Sequence, residues 1–166
     1  KMAFEKLGVK NFDSFYTKES ANPVFESLET GHISNEDFYT ALQLHCNPKT
    51  SFKEIQHAWN EILLDFRKES VTHLFHLKQK YNLYLLSNTN AIHHAEFSDT
   101  FKQENNGREF DDNFIKAYYS HRMHKRKPYP ETYLHVVNDA GIVAEETLFI
   151  DDSVDNCLAA ETLGIR

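Results

Sequence analysis

The sequence predicts an α/β protein in which helices cover a parallel sheet and an all-helical subdomain comes first. Two patterns lead to this fold class. Helical periodicity runs through residues 1–70, and short apolar runs alternate with helical segments over residues 71–166. The chain also contains few glycines and prolines, 5 and 4 of 166 residues, and this favours long helices over a loop-rich β protein.

The composition excludes several classes of protein. Eighteen basic against 25 acidic residues give a net charge of −7, which argues against a nucleic-acid binder or a protein of anionic membranes. The apolar runs are far shorter than the roughly 20 residues of a membrane span. No apolar segment follows the charged start as in a secretory leader, so we expect a cytoplasmic protein. Cys46 and Cys157 show neither disulfide-framework nor zinc-site spacing.

Helix-start signals organise the first region. Ser34 and Asp37 can cap one helix, and Ser51 with Glu54 forms an S-x-x-E capping box for the next. The helix after that box has the clearest amphipathic pattern of the chain. Its apolar residues at helical spacing are Phe52, Ile55, Trp59, Ile62, Leu63 and Phe66. We expect about four helices and no strands in this region.

Strands and helices alternate in the second region. Strands are predicted over 83–86, 114–119 and 147–150, and helices over 71–78, 91–97, 130–140 and 154–163. The helix over 130–140 has Pro130 near its start and Gly141 just past its end, the usual arrangement. Three parallel strands make a thin sheet. We therefore expect one further strand before Lys1 and one after Arg166.

Polar side chains follow each predicted strand. Ser87 and Asn88 follow the first, a segment ending in Lys127 follows the second, and Asp151 with Asp152 follows the third. Ligands of open α/β sheets bind beyond the carboxyl ends of the strands. A hydroxyl and an ammonium suit a phosphoryl oxygen, and paired carboxylates suit Mg²⁺. The sequence therefore predicts a phosphate and metal site that lacks a nucleophile.

Each of these residues also has a purely structural interpretation. Ser87 or Asn88 could cap the following helix, and Asp151 and Asp152 could cap the last one. Lys127 belongs to a basic run of the kind that is usually a solvated surface loop. Three such endings in three successive strands make coincidence a poor explanation.

Two other groups of residues have weaker functional signals. Pairs of histidines with some metal-like spacing fit exposed helix surfaces better; they are His73 with His76, His93 with His94, and His121 with His124. Several aromatic residues of the first region could line a substrate pocket, although their helical spacing favours a core position. These are Phe15, Tyr16, Phe38 and Tyr39. Neither GxGxxG nor GxxxxGK[ST] occurs, which excludes dinucleotide and P-loop sites.

Three segments together resemble the haloacid dehalogenase-like superfamily. They are YLLSNTN from Tyr84, KPYPETY from Lys127 and LFIDDSVDN from Leu148, and they are similar to its second, third and fourth motifs in order. The segment ETGHIS from Glu29 is similar to the helical cap that the family inserts after its first motif. The resemblance implies a three-layer Rossmann-like core over 71–166 with a helical cap over 1–70, and it is greatest for the sugar-phosphatase branch.

The resemblance also implies roles for individual residues. Ser87, Asn88 and Lys127 would bind the phosphoryl group, with Ser87 and Lys127 also acting in catalysis. Asp152 would bind Mg²⁺ directly, Asp151 directly or through water, and Asn156 would support the metal site. The family's first motif, a strand ending in Asp-x-Asp, would precede Lys1 and supply the nucleophile. The complete enzyme would hydrolyse a small phosphomonoester, expected to be a sugar phosphate, through an aspartyl-phosphate, and the 166-residue chain alone would be inactive.

Several alternatives stay open at this point. A phosphomutase fits the same motifs, and a metal-free haloacid dehalogenase fits them less well because of the two aspartates. A catalytically inactive interaction module fits the missing nucleophile. A phosphoacceptor receiver domain is disfavoured because its acidic pair comes first in the chain and it has no helical cap. The sequence indicates a small phosphorylated metabolite as partner, with neither nucleic acid nor membrane, and leaves the oligomeric state open.

Overall fold

The computed structural model describes residues 2–9, 16–17, 20–21 and 23–166. The first region holds α1 (Met2–Lys6), α2 (Pro23–Glu29), α3 (Asn35–Gln43) and α4 (Phe52–Asn60). Both predicted capping boxes are present. The Ser34 hydroxyl accepts from the N–H of Asp37, and the Ser51 hydroxyl accepts from the N–H of Glu54.

Two expectations for this region are wrong. A short antiparallel ladder pairs β1 (Tyr16–Thr17) with β2 (Ser20–Ala21), although only helices were expected. Helix α4 ends at Asn60 instead of continuing to Phe66. Ile62 is exposed, and Phe66 contacts Phe101 and Phe110 of the second region. The helical spacing of the apolar residues therefore extends past the end of the helix, and Phe66 packs in a different cluster.

The cap helices close around one aromatic core. Phe25, Phe38 and Trp59 contact one another, with ring centroids 5.7 Å apart for Phe25 and Phe38, 5.1 Å for Phe38 and Trp59, and 5.4 Å for Phe25 and Trp59. Phe38 and Tyr39 are buried, as their helical spacing favoured. Phe15 and the side chain of Tyr16 lie outside the described residues. Ile92 of the second region also packs in this cluster, so the boundary at residue 70 stays a prediction.

The second region builds the parallel sheet. Its helices are α5 (Lys68–Lys78), α6 (Ala91–Glu104), α7 (Ser120–Met123), α8 (Pro130–Ala140) and α9 (Val154–Glu161). Strands β3 (Tyr84–Ser87) and β4 (Lys116–Tyr119) pair in parallel, with Ser87 opposite Tyr119. The alternation predicted an α/β sheet with helices, and this fold class is confirmed. No helix in the described ranges has the length and apolar character needed to cross a membrane.

The third predicted strand has a different form. Residues 147–150 are extended without forming a regular strand in the described part of the chain. Their backbone nevertheless bonds in the parallel manner to the end of the chain, where Phe149 N–H donates to the Arg166 carbonyl and Arg166 N–H to the Thr147 carbonyl. Phe149 packs on Tyr133 beneath the sheet, while Leu148 and Ile150 are 71 and 81% exposed.

Candidate active site

Lys127 lies at the centre of the polar cluster beyond β3. Its side chain is 8% exposed, and its ammonium donates to a carboxylate oxygen of Asp151 at 2.5 Å and to the Leu86 carbonyl at 2.8 Å. The Nζ atom also lies 5.5 Å above the centre of the Phe149 ring. The interpretation of Lys127 as part of a solvated loop is therefore wrong, because its charge is compensated inside the fold.

The Leu86 carbonyl is available to Lys127 because of the strand register. Ile115 N–H donates to the Leu83 carbonyl on the β4 side of the strand. Carbonyls alternate in direction along a strand, so the Leu86 carbonyl faces the opposite edge of β3. At that edge the carbonyl accepts from the Lys127 ammonium.

Asp151 is held from three directions. One carboxylate oxygen takes the Lys127 ammonium, and the other accepts from Ser153 N–H and from the Asn156 side-chain amide, both at 2.9 Å. Burial alone would raise the pKa of Asp151. The hydrogen bonds from Lys127, Asn156 and Ser153 outweigh that effect and lower the pKa below its ordinary value. Asp151 is therefore a stable anion that is already fully engaged.

Asp152 differs from Asp151 in its exposure and in its bonding. Its side chain is exposed and makes no hydrogen bond or ion pair within the described ranges. It does not cap α9, whose first turn has no side-chain cap. Asp152 therefore offers an uncommitted carboxylate beside the committed one.

Ser87 and Asn88 do not cap the helix that follows them. Helix α6 is capped by Asn90, whose side-chain oxygen accepts from the N–H groups of Ile92 and His93 at 3.1 and 3.0 Å. The Asn88 side chain instead bonds to the main chain of Lys127. The Ser87 hydroxyl has no partner among the described residues. Ser87 thus lies between Leu86 and Asn88, the two residues of this strand end that hold Lys127.

Comparison with known proteins shows the family. The haloacid dehalogenase-like hydrolase family matches residues 7–164 of the chain. The chain belongs to that family. The resemblance to this family is therefore confirmed, and the chain is a haloacid dehalogenase-like (HAD-like) hydrolase.

The alignments with three similar proteins each cover almost the whole of this HAD-like hydrolase. D-ribitol-5-phosphate phosphatase of Bacteroides thetaiotaomicron is 32% identical, over 99% of this chain and 79% of the relative. A HAD family enzyme from the same organism, solved in complex with magnesium and inorganic phosphate, superposes with a TM-score of 0.93. That enzyme is 36% identical, over 99% of this chain and 81% of its own. A HAD-like family hydrolase of Porphyromonas gingivalis gives a TM-score of 0.87 at 31% identity, over 99% and 78% of the two chains.

The loop that carries Lys127 also joins the core of this hydrolase to its cap. Arg126 donates to Glu29 at 2.8 Å, and the Nδ1–H of His124 donates to the Thr30 carbonyl at 2.8 Å. A side chain at Gly31, whose φ is +69°, would collide with the His121 carbonyl. Thr30, His124 and Arg126 also line a groove of about 390 Å³ between the cap and the loop.

The sequence reasoning missed these junction residues. Glu29 and Arg126 are 97 positions apart, and nothing local marks either one as half of a pair. The available signal was charge complementarity, since Glu26 and Glu29 lie one helical turn apart on α2 and face a basic run. Glu29 is buried enough that its pKa is raised, despite the lowering effect of Arg126.

One of the paired histidines lies in the core instead of on a surface. The expectation that His93 lies on a helix surface is wrong. His93 is buried, stacks on Trp59 at 4.7 Å between ring centres and hydrogen-bonds the Trp59 carbonyl at 3.1 Å. Burial lowers its pKa, so it is neutral at pH 7. Within the described residues, no three His, Cys, Asp or Glu side chains come together as a metal site.

Proposed function

We propose that the complete protein is an Mg²⁺-dependent phosphatase that hydrolyses a small phosphomonoester of the sugar or sugar-alcohol class. The observation that carries the proposal is the buried contact between Lys127 and Asp151, which unites the second, third and fourth family motifs at one end of β3. A buried cation is held by the carbonyl of Leu86, and the next residue, Ser87, has a hydroxyl with no partner among the described residues. This combination suits an anionic ligand with several oxygens.

Three groups would bind the phosphoryl group. The Ser87 hydroxyl can donate to one phosphoryl oxygen, and the main-chain N–H of Asn88 lies next to it in the chain. Lys127 would stabilise the charge that develops on the phosphoryl oxygens as the leaving group departs. Since Asp151 already holds the ammonium in place, little reorganisation would be needed at the moment of reaction.

The acidic pair fits a divalent cation with oxygen ligands. Asp152 is exposed and uncommitted, so it would bind the ion directly. Asp151 has both oxygens engaged, so we expect it to act through water while it orients Lys127, with Asn156 holding its other oxygen. Mg²⁺ commonly takes one or two carboxylates together with water and phosphate. When bound, it would neutralise phosphate charge and orient the ester for in-line attack.

The nucleophile would come from a further strand that ends in Asp-x-Asp. Its first aspartate would attack phosphorus and form an aspartyl-phosphate while the alkoxide leaves, protonated by the second aspartate. Water, activated by the same second aspartate, would then release inorganic phosphate and restore the carboxylate. The edge of β3 that faces away from β4 and the exposed side chains of Leu148 and Ile150 support a further element beside them.

The relatives support this substrate class. The curated relative at 32% identity is a D-ribitol-5-phosphate phosphatase, and the three motifs resemble those of the sugar-phosphatase branch. The groove between the cap and the Lys127 loop is lined by polar groups, among them Glu26, His32, Arg126 and Glu131. Such groups suit a hydroxylated leaving group better than an apolar one.

Phosphate release from a panel of esters tests the proposal. The complete protein should release inorganic phosphate from ribitol 5-phosphate and from sugar phosphates in the presence of Mg²⁺, and EDTA should abolish the release. The matched control is the chain that begins at Lys1, which should release none because it lacks the nucleophile. Three outcomes would contradict the proposal: isomerised phosphoester without free phosphate, metal-independent halide release from a 2-haloacid, or Mg²⁺-dependent turnover by the control.

A further inference from the structure

We propose that the side chain of Asn88 is a positioning residue, which holds the main chain of Lys127 and thereby sets where the Lys127 ammonium lies. The side-chain amide of Asn88 donates to the Lys127 carbonyl at 2.9 Å, and its oxygen accepts from the Lys127 N–H at 2.9 Å. One side chain therefore satisfies both main-chain groups of a residue 39 positions away. The consequence for turnover rests on the phosphatase function proposed above.

Asparagine is suited to this contact because it carries a donor and an acceptor on one short planar group. Aspartate at position 88 would offer acceptors only and face the Lys127 carbonyl with a negative charge. Alanine would leave the N–H and the carbonyl of a buried residue without these partners, and losing the partner of a buried main-chain group is destabilising. The next residue, Pro128, has no N–H with which to share the anchoring of this loop.

The two ends of Lys127 are anchored to the same strand end. Asn88 holds the main chain, and the Leu86 carbonyl together with Asp151 holds the ammonium. A lysine side chain has four flexible carbons, so an ammonium fixed at a catalytic position requires a fixed main chain as well. Displacing a catalytic group by about 1 Å can reduce the rate by about 10²-fold.

The chain offers a matched control two residues further on. Asn90 has the same side chain and also bonds to main-chain groups, but these belong to the first turn of α6. Its removal would weaken a helix cap and so lower the stability of the fold. In the described part of the chain, the Asn90 side chain bonds to Ile92 and His93 and forms no hydrogen bond with Lys127. Substitutions at 88 and 90 therefore separate placement of the lysine from general stabilisation.

The experiment compares Asn88→Ala, Asn88→Asp and Asn90→Ala in the complete protein. Both Asn88 variants should lower kcat by about 10-fold to 10²-fold while KM changes by no more than about threefold, because the Asn88 main-chain N–H is retained. Asn90→Ala should lower the melting temperature and leave kcat within about twofold, measured well below that temperature. If both Asn88 variants keep kcat within about twofold, or if Asn90→Ala lowers kcat equally, the positioning role is wrong.

A second measurement does not depend on activity. The NMR signal of the Lys127 Cε, assigned by comparison with Lys127→Arg, reports whether the ammonium is still held. In Asn88→Ala it should move towards the position of the exposed lysines, and in Asn90→Ala it should stay unchanged. An unchanged signal in Asn88→Ala would overturn the positioning role. A wild-type protein that hydrolyses no phosphoester would contradict the proposed function and leave this comparison valid.

Discussion

Arg126 and Lys127 are neighbours in the chain, yet they form ion pairs in different regions, and the pKa values of their two partners shift in opposite directions. Arg126 pairs with Glu29 at the junction with the cap, where burial wins and the pKa of Glu29 is raised. Lys127 pairs with Asp151 in the candidate site. Burial is also the largest single effect on Asp151, but its pKa is lowered because Asn156 and Ser153 add hydrogen bonds to that of Lys127.

The comparison teaches that a single opposite charge does not secure a buried carboxylate. The desolvation cost of an ion pair is offset only when further hydrogen bonds satisfy the remaining lone pairs. Asp151 has such bonds on both oxygens, whereas a single arginine provides the ion pairing of Glu29. The pair of Lys127 and Asp151 therefore keeps its charges at a fixed place. For Arg126 and Glu29, the cost of burying the charges and the gain from pairing them are closer to equal.

The largest expected effect is on turnover. In the complete protein, Lys127→Ala should lower kcat by roughly 10²–10³-fold, because removing one electrostatic partner of the transition state typically costs that much. Lys125→Ala, in the same basic run, should change kcat by less than about twofold. Steady-state kinetics at saturating Mg²⁺ measures both. Equal losses in the two variants would mean that the run acts only as a diffuse positive surface.

The acidic pair provides the second prediction. Asp152→Asn should weaken Mg²⁺ activation sharply and abolish turnover at ordinary Mg²⁺, with little change in the melting temperature of the metal-free protein. Asp151→Asn should lower that melting temperature, because it leaves the Lys127 charge buried without its anion. Its activity should be partly restored by high Mg²⁺. Wild-type Mg²⁺ dependence in Asp152→Asn would remove this residue from the metal site.

Much of the site could be predicted because its signals are local. Ser87, Lys127 and the two aspartates each follow an apolar segment, and parallel strands bring such ends to one edge. The roles proposed for Asp151 and Asp152 also follow the motif order. Their geometry could not be predicted, since nothing in the sequence shows that Lys127 turns inward while Arg126 turns to the cap.

Prediction of the fold from the sequence has the same limit, because only local signals can be recognised. Capping boxes at Ser34 and Ser51 were predictable because each is complete within four residues. The end of α4 was not, because Phe66 keeps helical spacing while packing on Phe101, 35 positions later. The contacts of Asn88 with Lys127 and of Glu29 with Arg126 likewise join distant segments. Spacing rules carry information over one or two turns, and tertiary partners decide the rest.

Stability provides the third prediction. Arg126→Ala should destabilise the protein by about 2 kcal/mol, because Glu29 would lose its cation and stay 24% exposed. That corresponds to a fall in melting temperature of roughly 5 °C for a chain of this size. Lys125→Ala, which removes a charge next to it, should stay within about 0.5 kcal/mol. Thermal unfolding of the three proteins checks this, and a loss no larger than the control would mean that the junction pair contributes nothing measurable.

The smallest expected effect is a pH dependence that belongs to Glu29 alone. Its ordinary pKa is 4.5, and burial raises the pKa in the folded protein. Between the two values the folded state keeps a proton that the unfolded state has released, so stability falls as pH rises. The contribution is complete below pH 4.5 and is lost as pH rises through the folded pKa. Glu29→Gln removes this group and keeps a similar shape.

Subtracting the two proteins isolates the effect, since every other titrating group is common to both. The difference in melting temperature, wild type minus Glu29→Gln, should decrease as pH rises above 4.5 and level off once pH exceeds the folded pKa of Glu29. Asp37→Asn is a useful control because the pKa of Asp37 is lowered, mainly by its hydrogen bonds with Ser34. The difference in melting temperature, wild type minus Asp37→Asn, should increase as pH rises through the acidic range. A Glu29 difference that grows with pH would mean that Arg126 outweighs burial, and the contrast between the two ion pairs would disappear.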